Sequence, residues 1–297
     1  MSVLEEQFRQ LVMAAVAERT AANGGVISRA ELSALRLANG ETRRVIDTSK
    51  GIWNPRDLVA TLSIVSSPSG PYDDRQVDGG LFHYDYRAGS IEGDNTKLRR
   101  AFELGLPVIL LRKIDNGIYV PVFPTYVVAD DVDNRQFLLV LDESLRFLAS
   151  PLAPTAAEKR YAERMVRVRL HQPEFRGRVI RAYHATCAIC SLRHADLLDA
   201  AHIIGDGEDG GDPIVTNGLS LCKIHHAAYD RNLLGISPDY TVHLDQGLLD
   251  EVDGPMLRYG LQEMHGRSLI LPIKRNELPD QERLSARFER FVAGAAS

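Results

Sequence analysis

The chain has 297 residues, enough for two domains, and its 44% hydrophobic and 25% charged content is that of an ordinary soluble globular protein. No apolar run approaches the length of a membrane span, and the charged, amphipathic start argues against a secretory signal. A net charge of −5 does not mark the whole molecule as a binder of polyanions, so any such surface must be local.

Apolar residues at Leu4, Phe8, Leu11, Val12, Ala15 and Val16 repeat at helical spacing over 4–22, and Asn23-Gly24-Gly25 stops that helix. Ser28 is a good N-cap for a second helix through Leu37, with Glu31 completing a capping box. This small helical unit, 1–50, suits a packing role or a winged-helix-like DNA contact. From Gly51 the texture changes. β-rich runs (LVATLSIV, GLFHYDYR, LPVILLRKI, GIYVPVFPTYVVA, RQFLLVLDE) alternate with turn-forming segments, interrupted by one helix over 96–104 that Gly105 stops. They describe a barrel-like or strongly bent sheet domain over 51–150. Residues 151–154 read as a linker into a third region, 151–297. It opens with helices over 156–170 and 174–184, broken at Pro173. The fold class is therefore α+β. Between Lys159 and Arg181 eight basic residues (Lys159, Arg160, Arg164, Arg167, Arg169, Arg176, Arg178, Arg181) face two acids, Glu163 and Glu174. Such a run is a solvated helical face or a phosphate-contacting surface; because it leads into the segment below, the second reading is preferred. Beyond residue 230 come a strand over 240–244, a helix, the apolar run SLILPI and a final helix carrying Leu284, Phe288 and Phe291.

Residues 183–229 hold all three cysteines and five of the nine histidines. Two of the cysteines form a CxxC pair, which argues against a disulfide scaffold and for metal ligation in a reducing compartment, hence a cytoplasmic protein. Cys187-x-x-Cys190 and Cys222-x-x-His225 make a Cys3His set suited to a tetrahedral structural Zn2+. The insert between them reads as strand, Gly/Asp-rich loop (205–212), strand and helix. His202 ends the first strand, Asn217 opens the second, and His226 and Asp230 share one helix face. Phosphodiester hydrolysis needs a base for water, a cation for the charge that grows on the phosphate, and a group that orients the base. A neutral imidazole at His202 suits the first task, His226 with a carboxylate the second, and the Asn217 amide, fixing loop backbone or imidazole, the third. Each residue alone also has a plain reading. His202 could be a packed core histidine, Asn217-Gly218 a turn, and His226 a spare zinc ligand one residue out of register. Their order between two knuckles favours the chemical reading.

The motifs CAIC, DAAHIIG and TNGLSLCKIHHAAYDRNLLGI resemble the HNH endonuclease family of ββα-metal nucleases over about 183–244. The resemblance implies His202 as general base, Asn217 as orienting residue and His226 as ligand of a catalytic Mg2+ or Mn2+. Many members carry an acidic or histidine ligand just before the catalytic histidine, where this chain has Ala201. Asp199, on the same side of the strand, is nominated in its place, with Asp230 as the alternative. GPYDD, FHYDY and GDNTKLRRAFELGLPVILLR, within 51–128, are similar to the SRA domain of the PUA superfamily, which reads modified cytosine by flipping it out of the duplex. By that resemblance Tyr72 and one of Tyr84 or Tyr86 sandwich the base, and Asp73 or Asp74 accepts from its exocyclic amine. Packing in the sheet and a surface turn are the plain alternatives for these residues. Joined, the two resemblances imply a bacterial modification-dependent restriction endonuclease acting on double-stranded DNA. A double-strand cut needs two active centres, or one acting twice, so a homodimer is expected. A DNA-binding module whose zinc is purely structural and an HNH nuclease indifferent to base modification are the competing readings.

Overall fold

The computed structural model describes residues 2–67, 81–86 and 92–295. Its contacts divide the chain into two compact units, Met1–Glu174 and Phe175–Ser297.

The first unit is built on a seven-stranded sheet. Strands follow the order Ile52–Trp53, Ser63–Ser66, Val108–Asp115, Ile118–Asp131, Gln136–Val140 and Phe82–Asp85, and Ile27–Ser28 also pairs with Ile118–Asp131. All pairings are antiparallel except Ser63–Ser66 against Val108–Asp115. The long strand Ile118–Asp131 serves two partners: residues up to Thr125 pair with Val108–Asp115, and those from Tyr126 pair with Gln136–Val140. Register shifts in both ladders add twist, which curls the sheet. Among the described residues no ladder joins the two edges. A side chain bridges them instead, with the Tyr84 hydroxyl 3.3 Å from the carbonyls of both Gly51 and Val65.

Alternation along the strands sorts the core into layers. Val108, Leu110, Phe137 and Leu139 face the helix Asp94–Leu104 through Leu98 and Ala101, together with Val166 and Leu170. Ile109, Leu111 and Tyr119 face the opposite way, onto Val12 and Val16 of the N-terminal helix Ser2–Ala22. Segments 1–50 and 51–150 thus share an apolar core. Arg9 binds the helix to the sheet. It is fully buried and donates to the carbonyls of Thr61 (2.7 Å), Pro107 (2.7 Å) and Ala60 (3.0 Å) while paired to Glu5 at 2.7 Å.

Local signals behave as their chemistry dictates, within limits. The Ser28–Glu31 capping box forms, but its helix, Arg29–Ser33, stops short of Leu37 because Leu35–Arg36 is drawn into a ladder with Thr42–Arg43. Gly105 ends Asp94–Leu104 in the left-handed conformation (φ 60°), which leaves it free to donate back to the last turn. Pro173 does not break the helix expected to end there. Ala156–Val166 passes through a π turn, Arg167–His171, into Gln172–Ala182, and Pro173 lies in the first turn of that last segment. Among the described residues no helix is long and apolar enough to cross a membrane.

The second unit centres on a two-stranded ladder, Leu198–His202 against Gly218–Cys222, followed by the helix Lys223–Asp230. The hairpin Leu234–Ile236/Val242–Leu244 and the C-terminal helix Gln281–Ala295 pack around it, and Leu198, Ala201, Leu219, Leu221, Tyr229 and Leu284 share its core.

Candidate functional site

The two knuckles meet at one end of the ladder. Cys222 caps the helix Lys223–Asp230 and His225 sits one turn inside it, while the 187–190 turn is held against the ladder by the Ala188 N–H donating to Ser220 O at 2.7 Å. The Sγ atoms of Cys187, Cys190 and Cys222 and a ring nitrogen of His225 lie within 4.8 Å of one another. His225 Nδ1 is 3.5 Å from Cys187 Sγ and 3.2 Å from Cys222 Sγ, and Cys190 Sγ is 4.0 Å from Cys222 Sγ. A tetrahedron with zinc–sulfur bonds of about 2.3 Å has edges of about 3.7 Å, so the set fits Zn2+. Two further contacts suit a zinc knuckle. The Cys222 N–H donates to Cys187 Sγ (3.3 Å), and His225 Nε2 lies 2.8 Å from Gly260 O, which fixes the tautomer whose Nδ1 lone pair faces the thiols. His225, and not its neighbour, therefore faces the thiols.

His226 turns the other way. Its Nδ1 is 3.4 Å from Asp199 Oδ2 and its Nε2 is 3.3 Å from Asp230 Oδ2. A neutral imidazole has one N–H and can donate to only one of these carboxylates. Its remaining lone pair then faces an anion, an arrangement that a cation would satisfy. Two carboxylates and an imidazole are suitable donors for a hard divalent ion. Burial pushes the Asp199 carboxyl up, but hydrogen bonds from Lys223 and His226 outweigh it and hold the group below the usual carboxylate range.

His202 lies at the end of its strand, opposite Gly218. Its ring stacks on Phe175 with centroids 4.0 Å apart, and its Nε2 is buried without a hydrogen-bond partner among the described residues. Burial lowers its pKa below the ordinary histidine value; His226 pushes the same way, and Asp206 and Asp230 oppose. The ring is thus biased to its neutral form, the form that can accept a proton. Gly218 is needed for close approach: a Cβ there would stand 2.4 Å from Val179 Cγ2 and 3.0 Å from the Phe175 ring. Asn217-Gly218 is accordingly not a hairpin turn. The Asn217 amide, fully buried, accepts from Ile204 N (2.9 Å) and donates to Ile204 O (3.0 Å) and Asp212 O (3.0 Å). It clasps both ends of the Gly/Asp-rich loop and makes no hydrogen bond to the imidazole.

Several neighbours of the site escaped the sequence reading. Lys223 Nζ lies 2.6 Å from Asp199 Oδ1. Three arginines of the last helix reach the same region: Arg283 to Asp212 (3.5 Å), Arg287 to Tyr229 O (2.6 Å) and Arg290 to Glu208 (2.7 Å). Their spacing of four and three residues on a helix was the available signal. Within the basic run, Arg169 pairs with Asp142 (2.8 Å) and Arg176 donates to the carbonyls of Ala195 and Leu198, while Lys159, Arg160, Arg164 and Arg167 are exposed.

Of the residues expected to hold a base, Tyr72, Asp73 and Asp74 lie outside the described residues. Tyr84 and Tyr86 are 6% and 3% exposed. The Tyr86 hydroxyl donates to Asp130 and accepts from Arg99 (3.1 Å), and its ring packs on Phe137 at 4.7 Å.

Residues 187–237 match the family described as HNH endonuclease. A comparison with curated proteins finds no match. Two solved structures are similar over most of this chain. "Modification dependent TagI restriction endonuclease" is 18% identical, over 82% of this chain and 86% of that one, with a TM-score of 0.29. "Structure of the Type IV phosphorothioation-dependent restriction endonuclease ScoMcrA" is 15% identical, over 84% of this chain and 53% of that one, with a TM-score of 0.23. By the family match over 187–237 the chain carries an HNH endonuclease domain, and the enzyme class is DNA endonuclease.

Proposed function

We propose that the chain is a modification-dependent restriction endonuclease. In this reading the first unit recognises 5-methyl- or 5-hydroxymethylcytosine in double-stranded DNA by base flipping, and the HNH centre hydrolyses phosphodiester bonds. The observation that carries the catalytic half is the buried, unpartnered Nε2 of His202 in the same small module as the Asp199–His226–Asp230 chain. His202, neutral at working pH, takes the proton of the attacking water. Asn217 holds the loop beside it, and Phe175 holds the imidazole plane. Asp199 and His226, with Asp230 as the alternative carboxylate, would hold Mg2+ or Mn2+. When bound, that ion supplies charge stabilisation at the phosphate and leaving oxygen. Cys187, Cys190, Cys222 and His225 hold the structural Zn2+.

The reader half rests on the sequence motifs around Tyr72, Asp73, Asp74, Tyr84 and Tyr86 and on a curled sheet whose two edges the Tyr84 hydroxyl bridges. Stacking and edge hydrogen bonds there offset an unstacking cost of a few kcal/mol. A double-strand cut needs two centres, which favours a homodimer in the bacterial cytoplasm; sedimentation as a monomer with and without DNA removes that part. One observation favours the rival reading of a nuclease indifferent to modification: the Tyr86 hydroxyl is already committed to Asp130 and Arg99. Cleavage of one plasmid prepared unmodified, methylated, hydroxymethylated, glucosylated and phosphorothioated decides between them. Selective cutting of the cytosine-modified forms is expected, and equal cutting of all forms rejects the reader. Binding without cleavage in any divalent metal leaves only the reading of a DNA-binding module with a structural zinc.

A further inference from the structure

Lys223 is the first residue of the helix that carries His226, and its ammonium is 2.6 Å from Asp199 Oδ1. The second oxygen of the same carboxylate faces His226 Nδ1 at 3.4 Å. One carboxylate thus serves both the lysine and the imidazole. The lysine side chain is 56% exposed, against 25% for Asp199 and 25% for His226, so its end can swing into solvent without disturbing the core. An exposed ion pair of this kind is weak, and a lysine is a flexible point charge with no fixed fork to hold it in place. A divalent ion on Asp199 would repel an ammonium left on the neighbouring oxygen. Once DNA is present, a backbone phosphate offers an alternative anion, which lysine binds as a point charge.

We infer that Lys223 is a positioning residue with two stations: on Asp199 while no divalent ion is held there, and on a DNA phosphate once one is. This rests on the proposed reading of Asp199 and His226 as ligands of the catalytic ion. It gives Lys223 opposite effects on two ligands. The ammonium weakens divalent-ion binding by competing for Asp199, and it strengthens DNA binding once displaced. A residue with a merely structural role would move both in the same direction.

The test uses the full zinc-loaded chain and Mn2+ alone as the probe, titrated by the loss of the free-ion electron paramagnetic resonance signal. Lys223→Ala and Lys223→Gln should bind Mn2+ about tenfold more tightly than wild type, the scale set by removing one unit charge next to a solvated site. In a His202→Ala background with saturating Mn2+, binding of a short DNA duplex should lose about one from the slope of log affinity against log salt. One zinc per chain in every variant shows that the neighbouring Cys222 knuckle is intact. Mn2+ affinity unchanged or weakened in both lysine variants overturns the inference, and so does an unchanged salt slope. If Asp199→Ala and His226→Ala bind Mn2+ as well as wild type, the metal-site reading itself fails. If they lose Mn2+ while the lysine variants match wild type, only the inference fails.

Discussion

Replacing Asn217 separates two ways in which the middle residue of the motif could act. Its amide makes three hydrogen bonds to loop backbone and none to His202. Asn217→Ala deletes all three and leaves Ile204 N–H and Ile204 C=O, both on a buried residue, without partners; the Asp212 carbonyl is nearer solvent and recovers water. At about 1 kcal/mol net per bond, and up to about 3 kcal/mol for a buried group left unmade, the loss is about 2–4 kcal/mol. For a unit of this size that corresponds to a fall in melting temperature of roughly 8–15 °C. Slackening the loop also misplaces His202, through the Ile203 N–H bond to Asn217 O (3.0 Å), and an ångström of misplacement costs roughly a hundredfold in rate. The informative variant is Asn217→Asp. A carboxylate there still accepts from Ile204 N but presents an anion to two carbonyl oxygens. It should therefore be at least as damaging as alanine near neutral pH. Single-turnover cleavage at saturating Mn2+, with thermal melting of the same zinc-loaded samples, reads both effects. An aspartate variant that melts and cuts like wild type would refute the loop-clasp argument and return the residue to orienting the imidazole.

Four further outcomes follow from the geometry. Because burial holds His202 below the free-imidazole value of about 6.5, the acid limb of the cleavage rate should fall below that pH. Asp206→Ala, which removes a carboxylate that raises it, should shift the limb lower still, and a limb at or above the free value contradicts the assignment. The linked stability runs the same way: the unfolded chain takes up this proton more readily, so stability falls as pH drops through the free value. Stripping Zn2+, or Cys190→Ala, should unfold the second unit, since zinc contributes on the order of 10 kcal/mol to small modules; metal analysis beside melting checks this, and unchanged melting without zinc rejects the structural role. Gly218→Ala should cost about 1–3 kcal/mol by driving a methyl into Val179 and Phe175. It should also lower the cleavage rate by tilting the ring under His202; a stable, fully active variant would remove Phe175 from the site. Arg9→Ala leaves the buried Glu5 and three carbonyls uncompensated and should cost about 3–5 kcal/mol in urea unfolding of the first unit. A loss below about 1 kcal/mol would mean that water replaces the guanidinium.

What the residue string determined alone was whatever rests on short-range chemistry. The Ser28–Glu31 box, the Gly105 stop and the two knuckles follow from contacts within three or four residues, and the four metal donors could be grouped because a CxxC or CxxH turn presents its donors locally. The mixed α+β class followed from the change of period at Gly51. Tertiary structure decided everything that depends on which distant segment arrives. Arg29–Ser33 ends early because Thr42–Arg43 competes for Leu35–Arg36. His225 and His226 are adjacent and chemically identical, and only the direction of each ring, towards the thiols or towards Asp199, distinguishes them. Asn217-Gly218 looks like a turn in one dimension; in three it is a loop clasp beside a glycine made obligatory by Val179 and Phe175. Lys223 and Asp199 stand 24 positions apart, and no local pattern pairs them. Local propensity depends on the backbone of a few neighbouring residues, whereas the partner of a buried ring or a charged tip is set by chain packing, whose loop-closure terms no short window contains.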